Sequence, residues 1–408
     1  MPLSPTARTS LLPAFENQDE RFSSTFSVLR EAIAQRAFPA ASIAVTHASQ
    51  LVALKSFGHF TYEEDSAGAP LLSLRSLQRQ GGDFDSGAGA PLLAGFARSG
   101  NPDVTPATLF DLASLTKVVA TTTMAMILYE RGLLELDAPV VGTIPEFRAK
   151  SDPRRSGVTF RMLLTHSSGL PAYEKLFLKA RTRDELLHSA FTTPLSADPG
   201  SRAEYSDIGF IILGAALERI AQEPLDRFCQ REVFGPLSMS HTTFNPPAEM
   251  RDQIPPTADD RSCRQRVIQG EVQDENASAL GGVAAHAGLF STAEDLARFA
   301  HAMLNGGHPL LRPETIALFT RRQAAPAGTS RALGWDTPSS PSQSGKYFGP
   351  SSFGHLGYTG ASLWIDPARQ LSVTLLTNRT WPDCANQALK QIRPKFHDAV
   401  MEALNEIV

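Results

Sequence analysis

The segment from Phe110 to Ala120 constrains this chain most, because it places a Ser-x-x-Lys pattern at the start of a long, nearly uncharged stretch. Ser114 is the only serine in the chain that a lysine follows three positions later, at Lys117. Side chains three residues apart lie on one face of a helix, so a helix here would put a hydroxyl beside an amine. That arrangement suits a serine nucleophile whose proton is taken by lysine.

The residues around this pattern predict a buried central helix over Asp111 to Glu130. Lys117 to Tyr129 is almost uncharged between its ends, which is typical of a helix covered on all sides. Gly132 then supplies a C-terminal cap. At the start of such a helix, free backbone N–H groups favour negative charge that develops beside Ser114.

Strands are predicted near both ends of the chain and helices between them. Ala41 to Thr46 and Leu51 to Phe57 read as one hairpin, and His355 to Ile365 and Leu371 to Thr377 as another. Apolar spacing predicts further helices over Phe22–Arg36, Arg183–Phe191, Ile208–Cys229 with a break at Pro224, Thr292–Leu304 and Pro394–Ile407. We therefore expect one sheet assembled from distant segments and a second, helical lobe.

The domain organisation follows from these elements and from one biased segment. We expect residues 1–20 to be an N-terminal extension and residues 21–408 to form one domain, with a helical lobe over about 130–290. Glu63 to Pro106 is rich in Gly, Ala, Ser and Pro and too long for an ordinary loop. It is predicted to be a mobile insertion, either a solvated flap or a lid over the site.

Composition excludes several classes of partner. A net charge of -4 leaves no basic footprint for nucleic acid, and no apolar run approaches the ~20 residues that a membrane-spanning helix needs. The cysteines at 229, 263 and 384 form neither a disulfide framework nor a zinc pair. With no readable signal peptide, we expect a cytoplasmic protein, or a periplasmic one if the true N-terminus is missing. The oligomeric state stays open.

Two further short patterns follow the Ser-x-x-Lys pattern along the chain. Tyr205-Ser-Asp207 lies in a turn-rich segment after a Pro-Gly pair, which suits a tyrosine presented into a cleft. His355-Leu-Gly357 opens a predicted strand, where glycine lets a substrate run along the edge. A second His-x-Gly begins at His286, so we expect at least one of the two copies to be structural. Each pattern alone is weak evidence for a site.

Together, the order of these patterns resembles that of the serine β-lactamases and penicillin-binding proteins. The closer resemblance is to the class C-like branch, which also holds esterases, D-aminopeptidases and transacylases. It extends from about Phe26 to the C-terminus and includes two landmarks, Leu163-Leu-Thr-His-Ser-Ser-Gly-Leu170 and Ala285-His-Ala-Gly-Leu-Phe-Ser-Thr-Ala-Glu-Asp-Leu296. The second landmark places His286 in a structural turn and leaves His355 in the third motif.

The resemblance implies an α+β, β-lactamase/transpeptidase-like fold, with a central antiparallel sheet flanked by helices and a mainly helical lobe. It implies that Ser114 is the nucleophile and that Lys117 is its base, with a pKa that burial lowers. It also implies that Tyr205 bridges to the leaving group and helps to activate the deacylating water. Further implied roles are an oxyanion hole from the N–H groups of Ser114 and Tyr358, and substrate binding by Asp207, His355 and Gly357. No cofactor or metal is implied.

Two departures from the family pattern shape the functional expectation. Asp207 stands where many relatives have asparagine, and a carboxylate there could keep Lys117 charged. His355 stands where β-lactamases have lysine, and a mostly neutral imidazole attracts a substrate carboxylate less. This favours neutral esters among the small-molecule esters, amides and peptides that such a site attacks.

We therefore expect a serine hydrolase that forms an acyl-enzyme, as a carboxylesterase or related acyl hydrolase. The alternatives are a D-alanyl-D-alanine carboxypeptidase, a D-aminopeptidase or a weak β-lactamase. A catalytically silent binding module of the same fold is a third hypothesis.

Overall fold

The computed structural model describes residues 11–62 and 101–405, and its largest sheet is built from both ends of the chain. Its strands are β1 (Leu12–Pro13), β2 (Ala40–His47), β3 (Gln50–Gly58), β9 (Phe353–Leu356), β10 (Ser362–Asp366) and β11 (Leu371–Thr377). They lie in the order β1-β3-β2-β11-β10-β9, antiparallel except where β1 joins β3. The predicted sheet from distant segments is thereby confirmed.

Alternation along the central strands gives this sheet two buried faces. Ile43 of β2 belongs to the apolar cluster that also contains side chains of α2 (Ser23–Ala34) and α11 (Leu389–Leu404). Its neighbour Ala44 belongs to the larger cluster on the opposite face, which includes α9 (Ala293–Leu304). Helices therefore cover the sheet on both sides, as the fold class predicted.

Most of the remaining helices lie in sequence between two short strands that pair with each other, β4 (Phe110–Asp111) and β8 (Leu289–Ser291). A third short strand, β5 (Thr243–Phe244), pairs with the other edge of β8. The elements between β4 and β8 are α3 (Thr123–Glu130), α4 (Phe160–Leu164), α5 (Arg183–Thr192), α6 (Asp207–Ala221), α7 (Leu225–Cys229), the hairpin β6 (Ala258–Asp260) and β7 (Arg266–Ile268), and α8 (Glu275–Ala279). The remaining helices are α1 (Gln18–Arg21) and α10 (Pro313–Thr320).

The single helix predicted over Asp111 to Glu130 is wrong in its first half. The chain passes from β4 through a 3-10 turn at Ala113–Leu115 and a π-helical stretch at Lys117–Thr122 before α3 begins. Ala113 has a positive φ of 45°, which a regular helix does not allow. The hydroxyl of Thr123 donates to the carbonyl of Val118, five residues earlier, which matches the wider π-helical turn.

Two other element boundaries also differ from their predictions. His355 to Ile365 is two strands, β9 and β10, joined by a turn at residues 357–361. α11 begins at Leu389, so Pro394 lies inside the helix rather than at its start. Proline lacks the N–H that would bond the Lys390 carbonyl, and Gln343 Nε2 donates to that carbonyl instead, at 3.0 Å.

The predicted terminal and inserted segments are partly described. Residues 12–13 of the predicted extension pair with β3 at the sheet edge. Residues 63–100, which hold most of the predicted insertion, lie outside the described residues, while His59 pairs with Asp103 where the chain returns. None of the described helices is both long and apolar enough to cross a membrane.

Candidate active site

Ser114 lies in the tight turn that follows β4. The carboxylate of Asp111 accepts the N–H of Ala113 at 2.8 Å, which holds Ala113 in its left-handed conformation. The other oxygen of Asp111 accepts the N–H of Gln273 at 2.7 Å. Burial raises the pKa of Asp111 to about 6, although both backbone hydrogen bonds oppose that shift. A strained, hydrogen-bonded turn of this kind fixes the direction of the Ser114 side chain.

Lys117 is fully buried and its ammonium group contacts three oxygen atoms. Nζ lies 2.9 Å from Ser114 Oγ, 2.9 Å from the backbone carbonyl of His286 and 2.6 Å from Asp207 Oδ1. The Asp207 contact is an ion pair without hydrogen-bond geometry, and the Tyr205 hydroxyl also lies within hydrogen-bonding range of Nζ. The predicted pairing of hydroxyl and amine is present, and it comes from a 3-10 turn and a π-helical stretch rather than a regular helix.

The structure contradicts the expectation that burial lowers the pKa of Lys117, and it supports the expectation that Asp207 could keep Lys117 charged. Burial does disfavour the charged form, but the Asp207 carboxylate and the Tyr205 hydroxyl favour it more, and the pKa of Lys117 is raised. The side chain of Asp207 is only 18% exposed, so solvent screens the ion pair weakly. The resting lysine is therefore an ammonium that donates to Ser114, not a free amine.

Tyr205 precedes α6, and contacts of Ser206 and His166 fix its position. The N–H of Ser206 donates to Nδ1 of His166 at 3.0 Å, and the Ser206 hydroxyl both caps α6 and donates to the carbonyl of Pro171. The His166 ring also lies against the Tyr205 ring, with centroids 4.5 Å apart. The Tyr205 hydroxyl thereby reaches hydrogen-bonding distance of both Lys117 and Ser114.

The N–H groups of Ser114 and Tyr358 lie in two turns that a hydrogen bond joins. Neither N–H has an acceptor among residues 11–62 and 101–405. The hydroxyl of Thr359 donates to the carbonyl of Asp111 at 2.7 Å, which ties the turn after β9 to the turn after β4. Both donors are available to a negatively charged oxygen, as an oxyanion hole requires.

Gly357 is required by packing at this junction. A Cβ on Gly357 would lie 2.5 Å from the backbone carbonyl of Leu112, far inside contact distance. The absent side chain thus lets the β9–β10 turn approach the nucleophile turn, whereas the sequence had suggested an open edge for substrate.

His355 is a neutral side chain with one unused nitrogen. Its Nδ1 lies 2.8 Å from the carbonyl of Leu356 and so carries the proton, which we assign from that contact. Nε2 is then an acceptor, and it has no partner in the described part of the chain. Burial, with the charges of Lys117 and Arg331, lowers the pKa of His355 to about 3. The ring centroid lies 5.9 Å from that of Tyr205.

Several neighbours of the site were not predicted. The guanidinium carbon of Arg331 lies 5.3 Å from the Tyr205 ring centroid, and Asp274 pairs with His286 at 2.8 Å beneath Lys117. Arg331 belongs to an irregular segment without any motif, so nothing in its sequence context marks it. Within the described ranges, no three His, Cys, Asp or Glu side chains are arranged to hold a metal ion.

Comparisons with known proteins identify the family. A model of the β-lactamase family fits residues 26–393. A relative from Escherichia coli K12, named "Putative D-alanyl-D-alanine carboxypeptidase", is 33% identical over 305 residues, which are 67% of this chain and 70% of the relative.

Two solved structures are similar over nearly the whole chain. One is EstCE1, a hydrolase with promiscuous acyltransferase activity, with a TM-score of 0.69 and 20% identity over 94% of this chain and 100% of that one. The other is the octameric penicillin-binding protein homologue from Pyrococcus abyssi, with a TM-score of 0.66 and 20% identity over 94% and 77%. The chain therefore belongs to the β-lactamase family and is a serine hydrolase.

Proposed function

We propose that this enzyme hydrolyses carboxylic esters through an acyl-enzyme on Ser114. The observation that carries the proposal is the contact of 2.9 Å between Lys117 Nζ and Ser114 Oγ, inside a buried cluster with Tyr205. A nucleophile with a base in hydrogen-bonding range is the geometry that acyl transfer needs.

The reaction would begin when Lys117 loses a proton to solvent. Neutral Nζ then takes the proton of Ser114 as Oγ attacks the ester carbonyl, and the N–H groups of Ser114 and Tyr358 stabilise the oxyanion. Tyr205, in contact with Ser114 and Lys117, passes that proton to the leaving alkoxide as the C–O bond breaks. In deacylation, Tyr205 and Lys117 take a proton from a water molecule as it attacks the acyl-enzyme carbonyl. The ester bond to Ser114 Oγ then breaks, Oγ regains a proton, and the carboxylic acid leaves.

The neutral side chain of His355 supports esters over β-lactams. The Nε2 atom offers a lone pair where β-lactamases have the cationic lysine, so it would accept a hydrogen bond but attract no carboxylate. A buried polar acceptor of this kind favours uncharged substrates with a donor group nearby.

A second candidate is a D-alanyl-D-alanine carboxypeptidase, and Arg331 is the observation that favours it. Its side chain is 21% exposed, pairs with Asp336 at 3.6 Å and lies beside Tyr205, where it could supply the positive charge that His355 lacks. The name of the Escherichia coli relative points the same way. D-aminopeptidase and weak β-lactamase activity remain alternatives within the same chemistry.

Mass spectrometry of the intact protein, together with turnover assays, distinguishes these candidate functions. The protein is exposed in turn to a p-nitrophenyl ester, a penicillin and a fluorophosphonate, with Ser114→Ala as the control. We expect a fluorophosphonate adduct that Ser114→Ala abolishes, and steady turnover of the ester. Turnover of a D-Ala-D-Ala peptide and no turnover of the ester would favour the second candidate. If no probe gives an adduct, the silent binding module replaces both.

We further infer a cytoplasmic location. The three cysteines are free thiols, and two of them, Cys263 and Cys384, are exposed. Exposed thiols persist in a reducing compartment. Cell fractionation tests this inference, and recovery in the periplasmic fraction contradicts it.

A further inference from the structure

Arg393 is a buried cation in α11 that lacks a negative partner among the described residues. Its side chain is 5% exposed, Nη1 donates to Gln343 Oε1 at 3.0 Å, and Nη2 donates to the carbonyl of Gly360 at 3.1 Å. No described acceptor lies within reach of its Nε–H. Within residues 11–62 and 101–405, the one charged side chain close enough to shift its pKa is Arg379, which is also a cation.

This guanidinium is charged at neutral pH. Burial and then the charge of Arg379 lower the pKa of Arg393, but only to about 9. A buried charge is strongly unfavourable unless an opposite charge compensates it, and an unpaired buried N–H adds to that cost. A buried group of this kind therefore calls for a bound water or ion.

Further polar groups without partners lie on α11 and on the sheet face that it covers. His397 is one helical turn further along α11, is fully buried, and has no hydrogen-bond partner at either ring nitrogen in the described structure. On the sheet face that α11 covers, Ser362 Oγ and Trp364 Nε1 are also without described partners. Phe348 connects the two sides, since its ring contacts those of both His397 and Trp364. Arg393 Nε and Trp364 Nε1 can only donate, and the Ser362 hydroxyl and one ring nitrogen of His397 also carry a proton. Each of these four side chains can therefore donate to an anion.

A second buried arginine shows how differently this protein treats such a group elsewhere. Arg155 is 2% exposed, and three backbone carbonyls, those of Phe147, Phe191 and Thr193, accept from its guanidinium. Asp152 lies close enough to act on it electrostatically. Arg155 thus has three carbonyl acceptors and a negatively charged neighbour. In the described structure, Arg393 has no acceptor at Nε and no negatively charged neighbour.

We propose that a small inorganic anion of the chloride class binds between α11 and the sheet, at Arg393 Nε and the ring N–H of His397. The ligand must be small because both side chains are almost fully enclosed. The site lies directly behind the β9–β10 turn, since Arg393 donates to Gly360 and Arg379 stacks on Tyr358 at 4.6 Å. The anion supplies the missing negative charge and completes the support of that turn.

Thermal unfolding of the full chain in chloride, compared with gluconate at equal ionic strength, tests the proposal. Gluconate is too large for an enclosed site. We expect the Tm to rise with chloride, by about 2 °C when chloride reaches roughly tenfold its Kd, and bromide to act alike. Equal Tm values in all these salts overturn the proposal and leave water molecules as the partners of Arg393.

Two variants assign the effect to this site. Arg393→Gln is expected to lose the difference between chloride and gluconate, while Arg155→Gln lowers the Tm equally in both salts. If neither variant folds, bromide soaked into crystals of the unmodified protein still decides. An anomalous peak in contact with Arg393 Nε supports the site. Bromide only elsewhere, or a peak at Arg393 without any effect on Tm, indicates an adventitious ion only and overturns it.

Discussion

The ammonium group of Lys117 lies 2.6 Å from Asp207 Oδ1 and only 2.9 Å from the Ser114 hydroxyl. These two contacts compete, because a lysine that stays charged beside Asp207 cannot take the proton of Ser114. The resting enzyme holds its base in the protonated form, and a proton must leave before acylation. Activity is therefore expected to rise with pH as Lys117 deprotonates.

Asp207→Asn tests that relationship. The amide removes the negative charge that helps raise the pKa of Lys117, so a larger fraction of the lysine is neutral at a given pH. We expect the rising limb of kcat/KM for a p-nitrophenyl ester to move to lower pH, with higher activity near neutrality. Stopped-flow measurement of the acylation rate against pH checks this.

Glu275→Gln is the matched control for Asp207→Asn. Glu275 is a second carboxylate near the cleft, where it accepts from the Tyr173 hydroxyl at 3.4 Å, and it makes no contact with Lys117. Its variant should leave the pH profile in place. The assigned role of Asp207 is contradicted if the rising limb of the pH profile does not move in Asp207→Asn, or if it moves equally in both variants.

A second pH effect is expected from Asp111. Both carboxylate oxygens accept backbone N–H groups, from Ala113 and Gln273, and protonation would weaken one of these bonds. Because its pKa is raised to about 6, acylation should show an additional loss as pH falls below about 6. In Asp111→Asn the rate should be lower throughout and this additional loss absent. An identical acid limb in the variant assigns it to another group.

The fold was largely predictable because its elements follow from local patterns. Apolar, β-rich runs marked the hairpins, and Pro224 marked the break between α6 and α7. The start of α11 was missed because the bond that Pro394 cannot make is replaced by Gln343, which is 47 residues from Lys390 in sequence. Such compensation between distant residues leaves no local signal.

The candidate site was predictable where a motif carries it and not elsewhere. Ser114, Lys117, Tyr205 and Asp207 lie together, as the family resemblance implied. For the charge state of Lys117 the sequence predicted two opposing effects and not their balance, because burial and a carboxylate 90 residues away act against each other. Arg331 was missed for a related reason, since only tertiary packing brings it to Tyr205.

Gly357→Ala is expected to impair the oxyanion hole without unfolding the protein. The new methyl group would meet the Leu112 carbonyl at 2.5 Å, so the turn that carries the Tyr358 N–H must move. Loss of one oxyanion donor typically lowers kcat by about 10²–10³. Gly349→Ala is the control, since its nearest neighbour would lie at 3.5 Å. A folded Gly357→Ala enzyme with normal kcat would show that Tyr358 is not a donor.

Arg331→Gln separates the two candidate substrate classes. If the Arg331 guanidinium binds a substrate carboxylate, its loss should lower kcat/KM for a D-Ala-D-Ala peptide by roughly 10- to 100-fold, the usual value of a charge-assisted hydrogen bond. Turnover of a neutral ester should change little. Arg322→Gln controls for lost charge in the same segment, because Arg322 donates to Thr337 Oγ1 and not to the site. An equal loss on both substrates would mean that Arg331 acts by positioning Tyr205, against which it packs.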